Sequence, residues 1–211
     1  MSSTRFIVVR HGETAWNAQG RIQGHLDSPL NEEGLVQALL LGERLGAESF
    51  DRFYCSDLGR ARQTAQPIAD RTGKAPVTTA ALRERNLGVF QGLSGAESEQ
   101  AYPDEYHRFR QRDPDHAMPG GESIRELYQR VTTCFETLAA EHAGERIVVV
   151  THGGVLDALH RHVKGIPLEH PRDFPTYNAS LNWLRHEGGE WQIERWGDIS
   201  HLTRDATLDD F

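Results

Sequence analysis

Two short apolar runs constrain the fold of this chain most, because each leads directly into a His-Gly pair. The run Phe6–Val9 is followed by Arg10, His11 and a glycine, and the run Ile147–Val150 is followed by Thr151, His152 and a glycine. Continuous β-branched runs of this length are typical of strands covered on both faces in a mainly parallel sheet. We therefore expect both runs to be central strands.

Other segments have the periodicity of amphipathic helices, at about 33–45, 57–72, 122–141 and 155–163. Asn31 and Ser56 are the expected N-caps of the first two. Residues 180–185 and 191–196 alternate around a Gly-Gly turn and predict a hairpin at a sheet edge. This order predicts an α/β fold, a three-layer α/β/α sandwich with a mainly parallel central sheet.

The segment at about 93–121 differs from its surroundings, since it is rich in charged residues and ends in the breaker string Pro114–Gly121. We predict that it forms an inserted helical lid at the rim of the site. The length of 211 residues favours a single domain over 1–211, because domains average roughly 150 residues.

Composition limits the classes of partner. The net charge of −8 argues against broad electrostatic binding to nucleic acid. No apolar run approaches the roughly 20 residues of a membrane span, and the first residues do not resemble a signal peptide, so we expect no membrane partner and a cytoplasmic location. The oligomeric state is left open, with a homodimer as one alternative. Any anionic ligand needs a local positive pocket.

The two His-Gly pairs predict such a pocket. In an open parallel sheet, ligands bind beyond the carboxyl ends of the strands, so His11 and His152 would face one ligand if their strands are neighbours. Glycine allows a sharp turn, and the helix starts that follow can supply N–H donors to an anion. Arg10 supports this interpretation, because a buried guanidinium needs an anionic partner or several acceptors.

Two alternatives compete with a phosphate site. A single histidine at a strand end often only forms a hydrogen bond with a carbonyl group. Two such strand ends in one chain favour the interpretation that the histidines bind a ligand. A metal site would need ligands on one side of a helix, whereas His160 and His162 are two residues apart and point in different directions. We therefore expect neither a metal nor another cofactor.

Several short motifs resemble, in their order, those of the histidine phosphatase superfamily, also called the phosphoglycerate mutase-like family. The resemblance covers most of the chain and rests on Arg10–Thr14 with Asn17, Arg21–Gly24, Asp27–Leu30, Ser56–Ala61 with Gln63–Ala65, Leu82–Glu84, Gly88–Gly92, Pro119–Ser123 and Thr151–Gly153.

The resemblance implies a set of site residues. His11 would be the nucleophile and Glu84 the proton donor, with His152 as the third catalytic residue. The substrate-binding set would be Arg10, Asn17, Gly24, Arg60 and Arg62. Arg62 stands where the family usually has an apolar residue, so a helix-surface charge and an added substrate contact both remain open.

The resemblance also implies the reaction. We expect a metal-independent phosphomonoesterase that acts on a small phosphorylated metabolite through a phosphohistidine, because the chain length and the Pro119–Ser123 string are similar to the phosphatase branch. A 2,3-bisphosphoglycerate-dependent mutase is the first alternative; it would need extra lid cations, and the lid offers three arginines, Arg108, Arg110 and Arg112. A non-catalytic phospho-ligand module is the second alternative, against which the complete catalytic set argues.

Overall fold

The computed structural model describes residues 2–202 and is built around one sheet. Its strands are β1 (Thr4–Arg10), β2 (Arg52–Ser56), β3 (Val77–Thr79), β4 (Arg146–Thr151), β5 (Leu181–Glu187) and β6 (Glu190–Asp198). They lie in the order β3-β2-β4-β1-β5-β6. The first four strands run parallel, and the hairpin of β5 and β6 extends the sheet in antiparallel fashion.

Helices cover both faces of this sheet. They are α1 (Ala15–Ala18), α2 (Glu32–Gly46), α3 (Gly59–Thr72), α4 (Gly95–Ala101), α5 (Pro103–Gln111), α6 (Ile124–Glu141) and α7 (Gly153–Lys164). One apolar core joins the sheet to α6 and α7, and a second core joins its other face to α2 and α3. The predicted three-layer sandwich is confirmed.

The central pair of strands sets the position of the site. β1 and β4 pair in parallel with Phe6 opposite Ile147 and Arg10 opposite Thr151. Both strands are buried on both faces, which explains their continuous apolar sequence. Because Arg10 and Thr151 are partners, the residues that follow them, His11 and His152, leave the sheet at the same level.

The start of α3 differs from the expectation. Asn31 caps α2 as predicted, but the prediction that Ser56 caps α3 is wrong, because Ser56 ends β2 and α3 begins at Gly59. The cap comes from a distant segment: Asp27 accepts the backbone N–H of Gly59 at 2.6 Å and that of Arg60 at 3.4 Å. A carboxylate at this position also opposes the positive end of the helix dipole.

The predicted lid is helical. It contains α4 and α5, which pack on the buried ring of Phe90 through Tyr102, Tyr106 and Phe109, with ring centroids 5.6–6.3 Å apart. The assignment of the whole chain to a single domain stays a prediction, and its last part, 203–211, lies outside the described residues. Within 2–202, no helix is both long and apolar enough to cross a bilayer.

The irregular loop 165–180 joins α7 to β5 and is held from inside by Arg161. This fully buried side chain donates to Asp157 at 2.9 Å, to the carbonyl of Pro167 at 2.6 Å and to that of His170 at 3.0 Å. A buried guanidinium is stabilised when its donors are satisfied in this way. These contacts fix the part of the loop that directly follows α7.

Candidate active site

His11 lies at the end of β1 and is buried. Its Nδ1 atom is 2.7 Å from the carbonyl oxygen of Gly12, so Nδ1 carries the hydrogen and Nε2 keeps a free lone pair. Burial, aided by the charges of Arg10 and Arg60, lowers the pKa of His11 well below 6.5. The ring is therefore neutral at neutral pH, as a nucleophile must be.

The backbone around His11 is held by the loop 165–180. The N–H of Ala179 donates to the carbonyls of Arg10 and His11, at 3.1 and 3.2 Å. Asn178 donates its side-chain amide to the same His11 carbonyl at 3.0 Å. Ala179 has φ +55°, an uncommon conformation for a residue with a β-carbon, which these hydrogen bonds offset.

His152 faces His11 from the end of β4. The two ring centroids are 5.2 Å apart, and His152 is fully buried. Its Nε2 atom lies 2.8 Å from the hydroxyl of Ser56, while Nδ1 is buried without a partner among the described residues. Burial, with the charge of Arg60 next in effect, lowers the pKa of His152 well below 6.5. A neutral ring whose Nδ1 has no partner within residues 2–202 thus adjoins the ring of His11.

Two arginines complete the inner wall. Arg10 donates Nη1 to the carbonyl of Thr176, and Arg60 donates to the carbonyls of Gly24 and Leu26 at 2.7 and 3.0 Å. Burial lowers the pKa of Arg10 to about 10, and it also lowers that of Arg60. The buried Nε atoms of both guanidinium groups lack partners in the part of the chain that the structure describes. Burying such donors without a partner costs free energy, and a bound anion would remove this cost.

Glu84 lies at the N-terminus of α7. Both its carboxyl oxygens accept the backbone N–H of Gly154, at 3.1 and 3.0 Å, and Oε1 also accepts that of Arg85 at 2.7 Å. The Glu84 carbonyl accepts from His25 at 2.9 Å and from Arg130 at 3.3 Å. Burial lowers the pKa values of Arg10 and Arg60, and the negative charge of Glu84 partly offsets this lowering. It therefore lies on the same pocket.

Comparison with known proteins agrees with this geometry. The family described as "Histidine phosphatase superfamily (branch 1)" matches residues 6–199. The chain belongs to the histidine phosphatase superfamily. This confirms the prediction made from the sequence, and with it the prediction of a phosphoric monoester hydrolase.

Three similar proteins illustrate the relationship. "Phosphoglycerate mutase-like protein 4" of Arabidopsis thaliana is 46% identical over 96% of this chain and 88% of its own length. "Metal-independent phosphoserine phosphatase" of the same plant is 42% identical over 95% of this chain and 84% of its own length. The solved structure "Bacillus stearothermophilus YhfR" has a TM-score of 0.87 at 34% identity, covering 95% of this chain and all of that one.

Asn17, Gly24 and Arg62 are the remaining residues expected for a histidine phosphatase site. Asn17 accepts from the hydroxyl of Thr14 at 3.0 Å and from the amide of Asn178 at 3.3 Å. Gly24 contributes its carbonyl to Arg60, and its φ of +55° suits glycine. Arg62 is exposed and lines a surface cavity of about 490 Å³ beside Arg60. Direct substrate contacts of these three residues stay predictions.

Other contributors to the histidine phosphatase site were missed from the sequence. Ser56 forms a hydrogen bond with His152 instead of capping a helix, and the half-buried His25 contacts the Glu84 carbonyl. Asn178 and Ala179 come from a loop with no motif of its own. The sequence feature that could have indicated a close approach of another side chain is Gly154, the second glycine after His152. A β-carbon there would overlap Glu84 Oε1.

Between residues 2 and 202 no group of three or more His, Cys, Asp or Glu side chains could hold a metal ion. The pocket of this histidine phosphatase is formed by guanidinium and imidazole groups instead.

Gly154→Ala should reduce kcat/KM by about a hundredfold, because displacing a catalytic group by about 1 Å can cost that much. The added methyl would occupy the position of the Glu84 carboxyl group. Steady-state kinetics on an alkyl phosphate, with circular dichroism as the check of folding, would measure it. Gly95→Ala in the lid helix α4 is the matched control, because its β-carbon would meet only the terminal hydroxyl of Tyr106, at 3.3 Å. Equal rates for the two variants would contradict the position assigned to Glu84.

Proposed function

We propose that this chain hydrolyses phosphomonoesters of small metabolites without a metal, by transferring the phosphoryl group to Nε2 of His11 and then to water. One observation carries the proposal. A buried, neutral His11 with a free Nε2 lies beside Arg10 and Arg60, whose buried Nε donors have no hydrogen-bond partner among residues 2–202. Such an arrangement suits a phosphate ester, an anion whose phosphorus atom is attacked by a nucleophile.

Binding would use the donors that lack partners. A phosphate ester brings three non-bridging oxygens, which Arg10, Arg60 and the Nδ1–H of His152 can bind. The Ser56 hydroxyl, by donating to Nε2 of His152, would favour the tautomer that has its hydrogen on Nδ1. Charge-assisted hydrogen bonds of this kind are strongest where water is excluded, and the three side chains are buried or nearly so.

Transfer to His11 would then need alignment and a proton. Nε2 attacks phosphorus, the bond from phosphorus to the ester oxygen breaks, and its electron pair leaves with that oxygen. Glu84 supplies the proton to the departing oxygen. The imidazolium that forms is stabilised by the hydrogen bond from Nδ1 to the Gly12 carbonyl. The arginines neutralise charge on the equatorial oxygens, which is the main catalytic requirement of phosphoryl transfer.

In the hydrolysis step Glu84 would act as a base instead of an acid. A water molecule enters where the alcohol left, and the Glu84 carboxylate takes its proton as the oxygen attacks phosphorus. The bond between phosphorus and Nε2 breaks, the electron pair returns to the ring, and inorganic phosphate leaves. Glu84 is then protonated again and the cycle is complete.

Two kinds of relative bear on the reaction. One carries the name of a metal-independent phosphoserine phosphatase and another that of a phosphoglycerate mutase-like protein. We favour hydrolysis and keep the mutase as the alternative. The proposal also includes a cytoplasmic location, no nucleic-acid or membrane partner, and a homodimer as one alternative assembly.

A panel of phosphorylated metabolites tests the proposed function directly. We expect release of inorganic phosphate that is unaffected by EDTA, independent of 2,3-bisphosphoglycerate, and lost in His11→Ala. His107→Ala, a change at an exposed lid residue, is the control and should retain the wild-type rate. Strong inhibition by EDTA would remove the metal-free mechanism. Isomerisation of phosphoglycerate that depends on the bisphosphate would select the mutase.

Glu84→Gln tests the proton donor. The amide cannot supply a proton to the departing oxygen, so alkyl phosphates should slow by about a hundredfold or more. An aryl phosphate such as p-nitrophenyl phosphate has a good leaving group and should slow much less. The ratio of kcat values for the two substrates is the measurement. Equal slowing of both classes would count against Glu84 as the acid.

A further inference from the structure

The segment that carries Glu84 has no regular secondary structure. It covers residues 83–87 and lies between two single 3-10 turns, Ala80–Leu82 and Gly88–Phe90. Its backbone is therefore not fixed by the hydrogen bonds of a helix or a sheet, and its carbonyl groups need partners from elsewhere in the fold. The residues that bind these carbonyls determine where the Glu84 carboxyl group lies.

Arg130 of α6 is the main partner of these carbonyls. Its Nη1 atom donates to the carbonyls of Ala81 and Arg83, at 2.9 and 3.0 Å. Its Nη2 atom donates to the carbonyl of Glu84 itself at 3.3 Å. A guanidinium group is planar and holds its donors in a rigid fork, so the three carbonyls are fixed relative to one another.

Glu122, from the loop before α6, fixes the orientation of Arg130. Its carboxylate accepts from Nε and from Nη2 of Arg130, both at 2.9 Å. The side chains of Arg130 and Glu122 are only 24% and 17% exposed. Bidentate pairs of this kind are strong and directional. The backbone of Glu122 also binds the residues after Glu84: its carbonyl accepts from Nε of Arg85 at 2.7 Å, and its N–H donates to the carbonyl of Asn86 at 2.8 Å.

The pair of Arg130 and Glu122 holds the backbone of Glu84 and not its carboxyl group. The carboxyl group accepts the backbone N–H groups of Gly154 and Arg85, whereas Arg130 donates to the Glu84 carbonyl. Within residues 2–202, Arg130 forms no hydrogen bond with the two histidines or the two arginines of the phosphate pocket. Loss of Arg130 would therefore leave the phosphate-binding groups in place and release the backbone that directs the acid.

We propose that Arg130, oriented by Glu122, is a positioning residue that sets the distance between the Glu84 carboxyl group and the ester oxygen of the substrate. This inference rests on the proposed function, in which Glu84 supplies a proton to that oxygen. The need for this proton increases with the pKa of the leaving alcohol. A displaced Glu84 therefore slows alkyl phosphates more than aryl phosphates, whereas general damage to the pocket slows both alike.

The dependence of kcat/KM on the pKa of the leaving group tests the assignment. This constant covers the steps up to transfer to His11, so hydrolysis of the phosphohistidine does not enter it. In Arg130→Gln we expect alkyl phosphates to slow by about tenfold or more, since a displacement of about 1 Å can cost about a hundredfold. p-Nitrophenyl phosphate should slow much less. A plot of log kcat/KM against the pKa of the leaving group then becomes steeper than in the wild type.

Further variants separate positioning from general damage. Glu122→Gln, which loses one of the two carboxylate acceptors, should steepen the plot as well, and Arg130→Lys, which keeps the charge, should steepen it less than Arg130→Gln. In the Glu84→Gln background, Arg130→Gln should not change the slope further, because no acid remains to be displaced. Arg125→Gln is the matched control, because this arginine of the same helix pairs with Asp115 at the surface, and it should keep the wild-type slope.

Wild-type slopes in Arg130→Gln and Glu122→Gln, with circular dichroism spectra of folded protein, would overturn the assignment while hydrolysis itself stands. Uniform slowing of all esters, or a further change of slope in the Glu84→Gln background, would overturn it too. If Arg130→Gln does not fold, the slopes of Glu122→Gln and Arg130→Lys decide in the same way. A wild-type slope in Glu84→Gln would instead reject the acid of the proposed function, and the assignment with it.

Discussion

The parallel pairing of β1 with β4 is the constraint on which the rest of the structure depends. Their register places Arg10 opposite Thr151, so His11 and His152 emerge together at one edge of the sheet. A slip of one residue would turn every side chain of a strand to the opposite face and move the two imidazoles apart. The apolar cores on both faces hold this register, and a parallel pair so buried tolerates little displacement.

Burial at this edge also determines the chemistry. The protein carries a net charge of −8, yet the pocket collects guanidinium groups with few carboxylates between them. The loss of water on burial, together with the charges of these arginines, lowers the pKa of both histidines and keeps the rings neutral. In the proposed mechanism one ring then acts as the nucleophile and the other as a neutral donor. The same arginines leave donors free for an anion. The same buried arginines therefore suit the pocket to catalysis and are unfavourable as long as no anion is bound to them.

Much of this could be predicted from the sequence because the signals are local. The strands β1 and β4 are continuous apolar runs, and the His-Gly pairs follow them directly. Contributions from distant segments left no such signal. Asp27 caps α3 in place of Ser56, which instead contacts His152. The loop 165–180 holds His11 through Asn178, although the loop contains no recognisable motif. These contacts depend on tertiary packing, which periodicity and capping rules do not encode.

The central claim is that His11 carries the phosphoryl group. Rapid quenching of wild-type enzyme with a labelled phosphomonoester, followed by peptide mapping under conditions that preserve acid-labile bonds, tests it most directly. The account predicts a single phosphorylated residue, His11, with an adduct that accumulates in Glu84→Gln when an aryl phosphate is the substrate. An adduct on His152 or on any other residue, or turnover with no adduct at His11, would contradict it.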